Sequence, residues 1–451
     1  MDLHPSIVGR RLAWTTLAMS LVLAVPGAAT ADSVKDINFN GVNQAGACGD
    51  CLPPDTHGAV GHTQYVQIVN RRVRVYSKTP QPGTSTPTLL RNQSLASFFQ
   101  YSNTAIFDPR VVYDSVAQRW IITAEAMPFS GTVQWHFIAV SSTNNATGSF
   151  VFYRINVNFL VNNYFWDFPQ LGLSEKAIII TANIFDHPPP NETFLYSNVV
   201  SISKSQLYNG VLSYRLFSWL SAPSIAPPIV VGSNPNTYLI SAASSGSVLN
   251  LYYIQNAGSG TESIVGPFGM VVNPYIAPGS ARQPGTGAKL DTTRNSRFIN
   301  ASLQKVNALW QIHTIGNGGY ITPKFYLIDL VLKNVAWTDL FFASQTSDDF
   351  NASITANPAG QRFITWTSTD APAGIQAQAR FIGTGVLGPP AFPGQAAYTS
   401  PTFYGTAGIQ RWGDYSAMTV DPVDTSRAWA TNEIVNTQTT WGSRIFNIGI
   451  P

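Results

Sequence analysis

The chain has 451 residues, with 26 Lys plus Arg against 23 Asp plus Glu and a formal net charge of +3. Charged residues are only 11% of it, against roughly 25% in an average globular protein, while aromatics reach 12% beside 35 Gly and 30 Pro. That is a chain of strands and turns, and with no Lys/Arg run longer than two it lacks a phosphate-tracking stripe, which excludes a nucleic-acid partner.

Residues 1–31 read as an export signal. Arg10-Arg11 precedes the apolar run Leu12 to Val25, Pro26-Gly27 breaks it, and Ala29-Thr30-Ala31 is a small-x-small cleavage site. The run is too short for a bilayer core of about 30 Å, and no later stretch reads as a span. The export route stays open, and the expected location is secreted or periplasmic. Residues 32–47 are polar and rich in Gly and Asn, a loose leader or an outer strand that closes the fold. Cys48-Gly49-Asp50-Cys51 holds both cysteines. In an exported protein such a pair reads as a disulfide. A redox-active C-x-x-C is the alternative, although Pro53-Pro54 replaces the helix that chemistry prefers.

From residue 48 the chain reads as a single domain of repeats. Each unit has an Asp- or Pro-marked entry, a short strand, a turn and a strongly apolar strand. The units start near Asp55, Asp108, Trp166-Asp167, Ile225-Ala226-Pro227-Pro228 (blurred), Asp291, Asp349 and Arg411-Trp412-Gly413-Asp414-Tyr415. A spacing of about 45–65 residues suits a four-stranded antiparallel blade. The expected fold is therefore all-β, a seven-bladed β-propeller of four-stranded antiparallel blades. A pair of β-sandwiches gives no reason for the repeat. Tyr65, Trp120, Trp310, Phe363 and Trp429 sit inside apolar strands and are expected to pack blade on blade.

The first strand of each blade lines the channel, which gathers Asp55, Asp108, Asp167, Asp291, Asp349 and Asp414 at one face. Converging carboxylates can bind a cation such as Ca²⁺, act as acid and base on a glycosidic bond, or cap their own turns. Asp55, His57, Asp108, Asp167 and Asp414 are the candidate catalytic residues, with His57 beside Asp55 as a possible base. Arg110, Trp166, Arg297, Arg411, Trp412 and Tyr415 are the candidate ligand-binding residues at the mouth. His313, inside an apolar strand, reads as a satisfied core residue. No metal ligand set is assigned, zinc lacks ligands at its usual spacing, and Ca²⁺ stays open as the one cofactor. There is no G-x-S-x-G elbow, phosphate loop or sialidase-type S-x-D-x-G-x-x-W turn.

Pro53-Pro54-Asp55-Thr56-His57-Gly58-Ala59-Val60-Gly61, Phe107-Asp108-Pro109-Arg110-Val111-Val112-Tyr113-Asp114, Gln283 to Asp291 and the stretch from Arg411 through Asp421-Pro422 to Arg444-Ile445 resemble a family of exported bacterial propeller proteins. These are sometimes labelled sialidase-like by fold analogy. The resemblance covers most of the mature chain and implies fold and export but no mechanism. Two functions follow as expectations. One is a secreted propeller recognising glycans, as a glycoside hydrolase or polysaccharide lyase with its site at the channel mouth. The other is a non-catalytic binding or cell-surface propeller, stabilised by calcium. The partner in either case is an extracellular glycan or surface polymer, and the protein a monomer.

Overall fold

The computed structural model describes residues 33–127, 133–159, 164–189, 192–293, 295–384 and 393–450, with side chains from Asp36 onward. The export signal expected over 1–31 lies outside these residues. After β1 (Ser33–Asn40), the first antiparallel sheet is β2 (Thr56–Val60), β3 (Gln64–Val69), β4 (Arg72–Pro80) and β5 (Pro87–Ser94). The second is β6 (Ile106–Asp114), β7 (Arg119–Ala126), β8 (Trp135–Ser141) and β9 (Phe150–Asn156). The third is β10 (Phe165–Leu173), β11 (Ala177–Phe185), β12 (Phe194–Ser203) and β13 (Tyr214–Leu220). Next come β14 (Pro228–Val231) and the three-stranded sheet β15 (Asn236–Ala242), β16 (Gly246–Gln255) and β17 (Ser263–Tyr275). Short strands β18 (Ala281–Arg282) and β19 (Lys289–Leu290) pin a long loop. Then follow β20 (Ser302–Lys305), β21 (Ala308–Asn317), β22 (Tyr320–Asp329) and β23 (Asn334–Leu340), and after them β24 (Asp348–Ala356), β25 (Arg362–Asp370), β26 (Ile375–Thr384) and β27 (Gln395–Thr399). After β28 (Ile409–Gln410), which pairs with β19, the last sheet is β29 (Ala417–Val420), β30 (Arg427–Thr437) and β31 (Thr440–Gly449), with β1 added outside β31.

The innermost strands β2, β6, β10, β14, β20, β24 and β29 touch in that order, and β29 returns to β2. Four-stranded antiparallel sheets arrayed around a central channel make a β-propeller. Because each sheet is covered on both faces, its middle strands are apolar throughout rather than alternating. β11, with Ile178, Ile179 and Ile180 all buried, shows this. Between adjacent sheets lie separate cores. Trp120 packs between the first and second, Trp366 between the fifth and sixth, and Trp429 stacks on Tyr65 with ring centroids 5.2 Å apart where the last sheet meets the first. All five aromatics expected to pack between sheets are buried. His313 is buried too, with its ring nitrogens on Ser296 O at 2.6 Å and Tyr326 Oη at 3.1 Å.

The blurred fourth unit has a physical cause. Pro227-Pro228 offers no N–H to a ladder. Only Ala226 bridges to Ile240 of β15, and β14 instead runs parallel to β20 and touches β10 at Leu173↔Ile229. It thereby joins the third and fifth sheets along the channel wall.

Three inner strands carry the same bulge. The register jumps between Phe107 and Arg110 in β6, between Asp167 and Gln170 in β10, and between Phe350 and Ser353 in β24. Within each jump one non-glycine residue is left-handed: Asp108 (φ 46°), Phe168 (φ 55°) and Asn351 (φ 53°). A bulge turns the strand and re-aims its side chains, and each such residue stores about 1–2 kcal/mol of backbone strain. These bulges shape one end of the channel.

Candidate functional site

At the bulged end the channel opens into a cleft of about 540 Å³. Asp55, Asp108, Asp167 and Asp414 line it with Arg297 and Arg411, and Phe107, Phe168 and Pro53 contribute apolar wall. The four aspartates enter from different sheets. Asp55 stands just before β2, Asp108 and Asp167 at the bulges of β6 and β10, and Asp414 just before β29.

The charges are interlocked. Arg411 Nη2 lies 3.3 Å from Asp414 Oδ2 and its Nε 3.7 Å from Asp291 Oδ2, with the arginine side chain 52% exposed. Arg297 Nη2 lies 3.5 Å from Asp414 Oδ1, and its guanidinium sits 3.6 Å from the centroid of the Phe168 ring. Asp55 accepts from Asn70 Nδ2 at 3.1 Å and from the backbone N–H of Asp414 at 3.3 Å. Gly413 is required here, because a Cβ would come within 2.3 Å of Pro54 O.

A buried layer floors the cleft. The Tyr415 hydroxyl donates to Asp108 Oδ2 at 2.6 Å. The Arg110 guanidinium lies 3.3 Å from the Tyr415 ring centroid and donates to Pro169 O, Asn300 Oδ1 and Ile299 O at 3.0–3.3 Å. Below this layer a second cavity of about 270 Å³ is lined mainly by aliphatic side chains, among them Val60, Val112, Leu173, Ile229, Leu303, Ile354 and Met418.

Burial and like charge act together on these acids. Burial first, and then Asp167, pushes Asp108 up to about 7, although Tyr415 and Arg110 pull the other way. Burial raises Asp55 well above the carboxylate range, with Asp108 and Asp414 adding to it. Asp167 is raised by burial as well.

Two carboxylates belong to this site that the sequence reading passed over. Glu125 of β7 is 0% exposed, and among the described residues only the carboxyl of Asp167 comes within hydrogen-bond reach of its oxygens. Carboxylate oxygens of Asp108, Glu125 and Asp167 lie within 4.8 Å of one another. Glu433 of β30, also fully buried, accepts from Gly413 N–H at 2.5 Å. Burial raises both acids well above the usual range. A signal for them was present. The second strands read Thr123-Ala124-Glu125, Thr181-Ala182-Asn183, Thr365-Trp366-Thr367 and Thr431-Asn432-Glu433, so a Thr-x-polar repeat runs through otherwise apolar strands.

Several expected positions differ. Trp166 is 1% exposed and packs toward His136 and Phe159, because alternation along β10 turns it away from the face that Asp167 presents. Trp412 is 1% exposed, donates to Thr367 Oγ1 at 3.3 Å and meets Phe350 edge-on. Neither stands at the mouth. Arg110 is 2% exposed with its donors spent inside the floor, so it presents nothing to a ligand in the cleft. Tyr415 is 0% exposed and acts on Asp108 rather than as a platform. His57 lies below the floor, where its Nδ1 accepts from Val111 N–H at 3.3 Å and burial, with Arg110, lowers its pKa well below the histidine range. Asp349 is fully buried and bonded to Trp366 Nε1 and Ser347 Oγ beside its own turn. Cys48 and Cys51 form a disulfide. The cleft offers acceptors and donors for hydroxyl groups, protons held on buried carboxyls, and oxygen ligands for a cation.

No protein-family model and no curated protein matches the chain. Among solved structures, a Dyadobacter fermentans protein of unknown function is similar at 10% identity and TM-score 0.40, over 76% of this chain and 94% of that one. An endo-arabinase from Bacteroides thetaiotaomicron gives 12% and 0.35, over 75% and 96%. An exo-beta-1,3-galactanase from Phanerochaete chrysosporium, solved with galactose, gives 8% and 0.35, over 88% and 92%.

Proposed function

We propose that the protein is an exported, seven-bladed β-propeller that recognises extracellular glycans, as a monomer, in the acidic cleft at one end of its channel. The blade number is supported by the closed circuit of inner strands from β2 through β14 to β29 and by the separate cores between neighbouring sheets. The disulfide fits an oxidising compartment.

One observation carries the glycan reading: aspartates from separate sheets and two arginines converge on one cleft of about 540 Å³. A sugar presents hydroxyls that both donate and accept. Ionised carboxylates accept them strongly, guanidinium groups donate in a fixed fork, and the half-buried ring of Phe107 suits the apolar face of a sugar. In this reading Asp414, Arg411 and Arg297 hold the sugar at the rim, and Asp55, Asp108 and Asp167 lie beneath it. His57, Trp166 and Trp412 have no place in it.

The test is a glycan array together with a polysaccharide panel read for reducing ends and for unsaturated products. Binding to at least one glycan class is expected. Arg411→Ala should weaken it by roughly ten- to a hundredfold, the loss of one charged hydrogen bond. Product release would make the cleft a hydrolase or lyase site, and binding alone a recognition site. Binding that Arg411→Ala and Asp414→Ala leave unchanged would move the ligand elsewhere and end this reading.

A further inference from the structure

We propose that Asp108, Glu125 and Asp167 form a divalent-cation site at the floor of the cleft, with Ca²⁺ as the ion the donors suit. Two separate observations point there. The first is geometric: oxygens of the three carboxylates lie within 4.8 Å of one another. Ca²⁺ takes its oxygens at about 2.3–2.6 Å, so two ligands on opposite sides of one ion stand at most about 5 Å apart. Shared coordination of one ion thus needs little movement.

The second observation is Glu125 itself. It projects from an apolar stretch of β7, is 0% exposed, and apart from the carboxyl of Asp167 no hydrogen-bond partner reaches its oxygens among the described residues. A carboxylate without a donor in a dry site is costly unless a cation or a proton meets it. Asp108 accepts from Tyr415 on one oxygen. The nearby positive group, Arg110, directs its bonds to Pro169, Ile299 and Asn300 and gives none to these acids. Arg110 acts on Asp108 and Glu125, and Arg297, which it shares with Asp414, acts on Asp167, so the crowded carboxyls still lack a cation of their own, which a divalent ion would supply. An all-oxygen set with neither His nor Cys suits Ca²⁺ over zinc. Three carboxylates do not fill the six to eight positions Ca²⁺ takes. Asp108 and Asp167 line the cleft, so further positions are open to water or to a ligand's oxygen.

Cation binding is measured without any glycan, so the proposal stands or falls apart from the glycan reading. The mature protein is stripped with chelator and melted with added Ca²⁺ or Mg²⁺. Saturating Ca²⁺ should raise the melting temperature by roughly 3–8 °C, and titration calorimetry should count one site at the floor. Glu125→Gln and Asp167→Asn should each abolish that shift. Terbium luminescence, sensitised by Tyr415 next to Asp108 and displaced by Ca²⁺, reports the same site if Glu125→Gln does not fold. No shift and no terbium signal in the stripped protein would overturn the proposal in favour of shared protons. A Ca²⁺ shift that survives both substitutions would place the ion elsewhere and overturn it equally.

Discussion

At the scale of single residues, Arg110 holds the channel's two chambers apart. Its guanidinium faces the Tyr415 ring and donates to acceptors from two neighbouring segments, so it fixes the distance between β6, β10 and the stretch before β20. Lysine carries the same charge but not the planar fork. Arg110→Lys should therefore leave carbonyl acceptors unpaired in a buried layer and destabilise the protein by about 2–4 kcal/mol. A lower denaturant midpoint is the expected readout, and an unchanged one would show the floor is not held this way. The same residue shows where sequence reading stops. Arg110 stands two positions after a marked Asp, so it read as a mouth residue. The bulge at Asp108-Pro109 breaks simple alternation there and swings Arg110 inward. Four of the six repeated aspartates, Asp55, Asp108, Asp167 and Asp414, do line one cleft, because the ring brings the strand entries together, whereas Asp349 bonds Trp366 and Ser347 instead. The inward facing of Trp166 follows from alternation against Asp167, whereas that of Trp412 depends on loop packing that no spacing encodes.

At the scale of elements, the second strands matter as much as the first. β7 and β30 place Glu125 and Glu433 behind the cleft, at matching positions of the Thr-x-polar repeat. The repeat stands in the sequence, but the apolar residues around it give each strand the pattern of a packing element. Glu433 gives a pH prediction. Burial, then its Gly413 N–H bond and the charges of Asp55 and Asp414, set its pKa, and the net direction is upward. For a carboxyl raised in the folded state, the native protein holds a proton that the unfolded chain releases near the ordinary glutamate value. Its contribution to stability is then fully present below that value and is lost as pH rises through the folded pKa. Glu433→Gln keeps an oxygen for Gly413 and removes the charge. The variant should gain on the parent in melting temperature from mildly acidic to alkaline pH, and the two curves should approach one another near pH 4. Parallel curves across pH 4–9 would show that Glu433 is not protonated in the native cleft.

At the scale of the whole molecule, a ring of sheets must close, and here the two ends of the described chain do it. β1 pairs antiparallel with β31, from Ser33↔Gly449 to Asn40↔Arg444. The pairing covers the edge of β31 and leaves the short, irregular β1 as the outer strand of the last sheet. It also completes the core where the last sheet meets the first: Ile37 and Phe39 are 0% and 5% exposed, and Phe39 meets Tyr76 with ring centroids 5.0 Å apart. Ile37 N–H also donates to Asn447 Oδ1 at 3.0 Å. Burying those two side chains contributes roughly 3–6 kcal/mol, before the ladder is counted, and in a ring each sheet supports both neighbours. Starting the chain at Gly41 should therefore lower the melting temperature by roughly 5–10 °C and expose β31 to association with other copies. Ile37→Asp, which keeps the backbone but puts an unpaired charge into the core, should reproduce most of that loss. If the shortened chain melts like the parent and stays monodisperse by light scattering, β1 is a passive leader laid against an edge that is already stable, and the ring closes through side-chain packing alone.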